Sequence, residues 1–149
     1  MSSSLIPYDR RKALAHDGHY RFDYVDAEFQ PARPSMLELF LREAQKNEWP
    51  FRIHVGAVLS GGTAIYCTKF RDELVSSFQP APEQIGGGEM EAVGLVSVSP
   101  PDDPAWIMVK GISDFAEDIR AEGWEATREL ACRNSATFVL TALIKAMQP

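Results

Sequence analysis

An α/β layer architecture is predicted, because stretches with strand periodicity alternate along the chain with stretches of helical spacing. Two further observations support it. Short apolar runs at Ile53–Leu59 and Trp106–Val109 read as strands buried on both faces, as in a sheet covered by helices on two sides. A long terminal segment from Trp124 to Met147 repeats apolar residues at helical intervals. With 149 residues and 45% hydrophobic content, the chain is expected to form one domain over 1–149 with a real core, and no internal repeat is visible.

In order, Ser2 to Ile6 is a short, partly apolar strand candidate that Pro7 brings to an end. Tyr8 to Arg33 reads as polar, aromatic and irregular, with a turn at Asp17-Gly18 and weak alternation over Tyr20–Val25, as in an exposed strand or extended loop. Ser35-Met36-Leu37-Glu38 matches a capping box, and Met36, Leu37, Phe40, Leu41 and Ala44 give the following helix one inward face until Asn47–Pro50 stops it. The run Ile53, Val55, Ala57, Val58, Leu59 is expected as a buried strand that breaks at Ser60-Gly61-Gly62. A short strand over Ala64–Cys67 and a helix from Lys69 to Phe78 come next. Gln79 to Gly88 carries Pro80, Pro82 and three glycines and reads as a flexible connection, whose glycines suit a backbone that approaches a ligand closely. Val93–Val98 reads as a buried helix ended by Pro100–Pro104, Trp106–Val109 as a strand, and Trp124–Met147 as an amphipathic helix of about six turns.

The net charge of -6 argues against a nucleic-acid backbone or an anionic membrane as the main partner, since both would repel the chain at long range. Cys67 and Cys132 have no metal or redox spacing and are expected to be reduced, partly buried residues. The amino terminus lacks the features of a signal peptide, and no apolar run is long enough to cross a bilayer, so a cytoplasmic location is expected.

Chemistry is concentrated in two runs, Glu89-Met90-Glu91-Ala92 and Lys110-Gly111-Ile112-Ser113-Asp114-Phe115-Ala116-Glu117. The first opens a helix and the second closes a strand, so Glu91 and Asp114 stand at the ends of neighbouring elements and are candidates to face one pocket. Together with Val58-Leu59-Ser60-Gly61-Gly62 and the long terminal helix, this ordered set resembles the purine nucleoside phosphorylase and methylthioadenosine/S-adenosylhomocysteine nucleosidase superfamily. The resemblance runs from Arg52 to Met147, and Ser2–Pro7 would extend it as a further family strand.

The resemblance implies a three-layer αβα sandwich with a mixed central sheet, of phosphorylase/hydrolase type and truncated at its amino terminus. It also implies cleavage of an N-ribosidic bond to a purine. That reaction needs a proton for the departing base and a partner for the positive charge that develops on the sugar. A protonated carboxylic acid and a carboxylate on the ribose hydroxyls meet these needs. By the resemblance Asp114 would be the acid at the base, with Ser113 beside it. Glu91 would bind the ribose hydroxyls in the run that Glu89 begins, with Met90 against the sugar. Lys110 stands where many relatives have arginine and would neutralise nearby carboxylates as a point charge. The turn at Ser60 would bring the backbone of Ala64 and Ile65 to the base edge. Gly62 replaces the family's usual aspartate, and Ala64 stands where some nucleosidases present an aromatic ring. No cofactor is implied, although phosphate is a candidate co-substrate.

Each residue also has a structural reading. Glu91 would complement a helix dipole, Asp114 would cap a turn, Lys110 would be a solvated or ion-paired surface charge, Met90 would be core, and Ser60–Gly62 an ordinary turn. His16-Asp17-Gly18-His19 offers no third ligand at useful spacing, so no metal is expected. His54 within its strand is expected to be structural. The amino-terminal half-domain of the family, with its glycine-rich phosphate or water site and water-activating glutamate, has no counterpart here. Two functions therefore stand side by side. One is a purine nucleosidase or phosphorylase, alone or completed by oligomerisation. The other is a nucleoside- or nucleotide-binding or regulatory module without turnover, or a half-domain that needs a partner chain. A homo-oligomer or partner chain is expected in either case, because an exposed sheet edge and an uncovered apolar face would remain.

Overall fold

The computed structural model describes residues 1–24, 29–46, 49–78, 84–100, 102, 106–119 and 122–148. Its centre is a four-stranded mixed sheet in the order β4-β1-β5-β6. Strands β1 (Ser2–Pro7), β5 (Gly56–Ser60) and β6 (Ile85–Glu89) are parallel, and the two-residue β4 (Gln30–Pro31) is antiparallel to β1. Because successive strand residues point to opposite faces, Leu5 and Val58 pack on one side with Ala32, Ala92 and Trp106. Ile6, Ala57 and Leu59 pack on the other with Tyr8 and Leu74. Helix α3 (Ala92–Ser97) supplies Ala92 and Val96 to the first face, and α2 (Thr68–Ser77) supplies Phe70, Leu74 and Val75 to the second. Helices thus cover both faces of a mixed sheet, in agreement with the expected αβα sandwich.

A third cluster joins α1 (Pro34–Ala44) to α4 (Trp124–Ala146) through Phe40, Phe138 and Ala142. The Phe138 ring lies 5.7 Å from Phe40 and 5.1 Å, edge-on, from Trp49. The same interface buries Glu43, whose two carboxylate oxygens are bound by Lys46 at 2.6 Å and Lys145 at 2.7 Å. These bonds, that of Lys145 foremost, hold the Glu43 carboxyl below the usual carboxylate range.

Several local expectations are corrected. Within the stretch read as irregular stands a hairpin of β2 (Arg11–His16) and β3 (His19–Tyr24). Positive φ at both Asp17 and Gly18 (46° and 80°) gives the turn the twist that suits a two-residue hairpin. Its residues are mostly exposed, which explains the weak alternation. Helix α1 starts one residue before the capping box, with Pro34 at its first position and no side-chain capping bond from the cap residue Arg33. No strand forms at Ala64–Cys67, where only Ile65 reaches the core. Residues 53–55, including the exposed His54, precede the ladder of β5 and are not part of it. Helix α3 sits where expected but is not buried, since Leu95 and Val98 face outward. Trp106–Val109 joins no ladder. It runs beside β1, with Ser2 N–H donating to Met108 O (2.8 Å) and Arg33 N–H to Trp106 O (2.9 Å). Both cysteines are unpaired but exposed. The expectations for Val25, Asn47, 79–83, 101, 103 and 104 fall outside the described residues. No described helix is long and apolar enough to cross a membrane.

Candidate functional site

The three parallel strands end in one row. Pro7 is in register with Ser60, and Ser60 with Glu89. The carboxyl ends of parallel strands are where open α/β sheets hold their ligands, and most of the expected site residues lie at this row. Ser60 is fully buried, and its Oγ accepts from Val93 N–H at 2.8 Å, which ties α3 to the end of β5. Glu89 is 8% exposed. Its Oε2 accepts from the amides of Glu91 (2.8 Å) and Ala92 (2.7 Å), satisfying two donors that the start of α3 would otherwise leave free. Its Oε1 is buried and has no hydrogen-bond partner among the described residues. Met90 and Glu91 form an exposed corner, with Glu91 Oε2 accepting from Met90 N–H at 3.3 Å.

The end of β1 clamps the turn after β5. The Tyr8 hydroxyl lies 3.2 Å from Gly61 O and 3.0 Å from Thr63 O, and Asp9 Oδ2 accepts from Gly62 N–H at 2.7 Å. A side chain at Gly61 would meet the Tyr8 ring at 2.6 Å and Asp9 Oδ1 at 2.7 Å, so only glycine fits this approach. Burial pushes the Tyr8 phenol up from its ordinary pKa, and the Asp9 and Glu89 carboxylates add to the shift. Tyr8 therefore stays a neutral donor throughout the physiological range.

The Lys110–Glu117 run crosses this end of the sheet. Lys110 Nζ donates to Gly88 O at 3.2 Å, which places it on β6 one residue before Glu89. Gly111 lies against α4, where a Cβ would fall on the Ala131 carbonyl and 2.8 Å from Ala131 Cα. Ile112 Cδ1 sits 3.1 Å from where a Gly87 Cβ would be. Asp114 is exposed, with Oδ2 accepting from Ser113 Oγ and Oδ1 from Ala116 N–H, both at 3.1 Å. Beyond it, Phe115 O accepts from Arg71 Nη1 at 2.6 Å, and Asp118 Oδ1 from Thr68 N–H at 3.4 Å. The segment is thus fixed at β6, at α4 and at the first turn of α2.

Of the expected residues, Ser60, Glu89, Met90, Glu91 and Lys110 belong to one region, whereas the described bonds of Ser113 and Asp114 stay within their own loop. Ile65 turns into the core beside Leu59 and Leu74, and Ala64 is exposed on the loop. The described partner of Lys110 is a carbonyl and not the carboxylate expected for it. Tyr8, Asp9 and Arg71 were not expected. Their one signal in the sequence is that Tyr8-Asp9 directly follows the residue that ends β1. An open polar hollow of about 830 Å³ runs along the outer face of α2 and is lined by Thr68, Lys69, Asp72, Glu73, Ser76, Ser77 and Asp118. It contains none of the strand-end residues and no described orphan polar atom, so the constellation at the strand ends is the better candidate site. No group of three metal-ligating side chains occurs among the described residues.

No protein-family model and no curated protein matches the chain. Among solved structures it is similar to a 5′-methylthioadenosine/S-adenosylhomocysteine nucleosidase from Colwellia psychrerythraea in complex with adenine. The TM-score is 0.64 at 15% identity, over 95% of this chain and 57% of that one. It is also similar to a futalosine hydrolase mutant of Helicobacter pylori, with a TM-score of 0.64 at 17% identity, over 97% of this chain and 59% of that one. The chain has the nucleosidase fold, as its sequence motifs led one to expect, and it spans less than three-fifths of the length of these two structures.

Proposed function

We propose that the strand-end site binds a purine nucleoside or nucleotide and cleaves its N-ribosidic bond. The observation that carries this reading is the Lys110–Gly88 hydrogen bond, which holds the start of the K-G-I-S-D run against the strand that leads into E-M-E. The similarity of the fold to that of nucleosidases supports it. Asp114 gives its proton to the base as the C1′–N bond breaks, and the base leaves neutral. Phosphate, or water that gives up a proton to the solvent, forms the new C1′–O bond, and Glu91 holds the ribose hydroxyls while the sugar bears positive charge. Tyr8 and Asp9 keep the 61–63 turn rigid, so that the backbone leading to Ala64 meets the ligand in one geometry. The unpaired cysteines suit a reducing, cytoplasmic setting.

The test compares free-base release from adenosine, methylthioadenosine and inosine by wild type and Asp114→Asn. The proposal expects release by the wild type and a loss of at least a hundredfold in the variant, the scale of general-acid catalysis. Equal release by both proteins removes Asp114 from the role. A second reading, a nucleoside-binding module without turnover, draws on the exposure of Asp114 and on the engagement of both its oxygens by its own loop. It expects ligand-dependent stabilisation with no product.

A further inference from the structure

Beyond Gly111, which is seated on α4, the segment that carries Asp114 has no apolar anchor. Among the described residues, Ser113 to Ile119 give no side chain to any core cluster, and Phe115 is 71% exposed. Its hold on the body comes from α2. Thr68 N–H reaches Asp118 Oδ1 at 3.4 Å, longer than a well-formed bond of this kind. Arg71 Nη1 donates to Phe115 O at 2.6 Å, and its guanidinium is aligned by Asp72 Oδ1, which lies 2.8 Å from both Nε and Nη2. Arg71 is therefore the stronger of the two anchors. The Phe115 carbonyl and the Ala116 amide are the two ends of one planar peptide group. A cation held on the carbonyl oxygen fixes the tilt of that plane and so aims the N–H, which donates to Asp114 Oδ1 at 3.1 Å. Hydrogen bonds linked in series in this way also polarise one another. Ala116 has a φ of 53°, a left-handed conformation that an alanine keeps only where its surroundings over-determine it. The bond from α2 supplies that constraint.

We propose that Arg71 is a positioning residue for Asp114: acting through the Phe115–Ala116 peptide, its guanidinium holds the Asp114 carboxyl group in one orientation. This rests on the reading above, in which Asp114 is the acid that protonates the departing base. A proton must be passed along one line, and a small misplacement of the group that gives it costs a large factor in rate. A role of this kind needs no contact with the ligand. Loss of Arg71 should therefore slow the chemical step and leave ground-state binding almost unchanged.

Arg71→Met keeps the apolar stem and removes every donor, and two readouts compare it with the wild type. Hydrogen exchange followed by NMR should show the Ala116 amide exchanging about fivefold faster or more, the scale of a lost hydrogen bond. The amides of Leu74 and Val75 within α2 should exchange as before. Base release, from whichever of adenosine, methylthioadenosine and inosine the wild type cleaves best, should lose about tenfold or more in kcat with KM nearly unchanged. A purely structural role would speed exchange throughout α2 and leave Ala116 no different from its neighbours. That pattern, an Ala116 amide that exchanges as in the wild type, or an unchanged kcat overturns the proposal and leaves the nucleoside reading standing. A wild type that releases no base overturns both. If Arg71→Met does not fold, Arg71→Lys is judged by the same outcomes, since one ammonium cannot span Asp72 and the Phe115 carbonyl as the planar fork does.

Discussion

The two glutamates of E-M-E lie two residues apart but in different surroundings, because Glu89 completes a strand in register with Ser60 while Glu91 has already left the sheet. The helix-start role considered for Glu91 belongs to Glu89, whose carboxylate reaches forward to the two amides. Far from the site, Glu43 shows what full satisfaction of a buried carboxylate looks like, with a lysine on each oxygen. Its pKa is held below the unfolded value, so its contribution to stability is complete above about pH 4.3 and is lost as pH falls through the folded value. Glu43→Gln should cost about 1–3 kcal/mol in urea unfolding at pH 7, since both lysines lose a charged acceptor. The gap to wild type should close as pH drops below about 4.3, and a gap that persists into acid would show that the ion triad is not its source. The contiguous runs of the candidate site stand out in the sequence because each packs its chemistry into a few adjacent residues. Tyr8 and Asp9 were not, because their partners Gly61, Gly62 and Thr63 lie more than fifty residues away and are brought close only by the pairing of β1 with β5.

At the scale of elements, α4 was the most legible. Its buried residues Ala131, Phe138 and Ala142 follow helical spacing over many turns, and the pattern outlasts any local exception. The short elements were the least legible. A run such as Trp106–Val109 has the composition of a central strand but lies beside β1 with only isolated backbone bonds, and composition cannot distinguish these two outcomes. The hairpin was legible only in its turn and in its second strand, for the opposite reason. Its stability comes from a turn with two positive φ angles and from exposed ring contacts between Tyr20 and Phe22, and not from a buried stripe. The contact of Gly111 with α4 makes a prediction at this scale. Gly111→Ala should push the 110–116 segment off the helix, lower stability by about 1–3 kcal/mol and reduce base release by more than it reduces stability, because Ser113 and Asp114 move with the segment. Thermal melts and turnover measured together check this, and wild-type turnover in the variant would detach the site from that anchor.

For the molecule as a whole, the surface is where the fold is least self-sufficient. Helix α4 buries one face and leaves Leu140, Ile144 and Met147 exposed at helical spacing, while Phe115 and Ile119 stand out from the segment beyond Asp114. Apolar surface of this kind should draw a second copy or a partner chain. Sedimentation should therefore show a species heavier than the monomer, which an Ile144→Glu substitution dissociates, and a wild type that sediments as a monomer would contradict it. The fold is shared with nucleosidases longer than this chain. We propose that the row of strand ends cleaves an N-ribosidic bond. The most direct test is chromatographic detection of free purine after incubating the wild-type protein with adenosine, methylthioadenosine, inosine, guanosine and ATP, each with and without phosphate. Release of free base from at least one of them is the predicted result, and its dependence on phosphate would identify the nucleophile. A folded protein that releases no base from any of them contradicts the claim and leaves a binding module in its place.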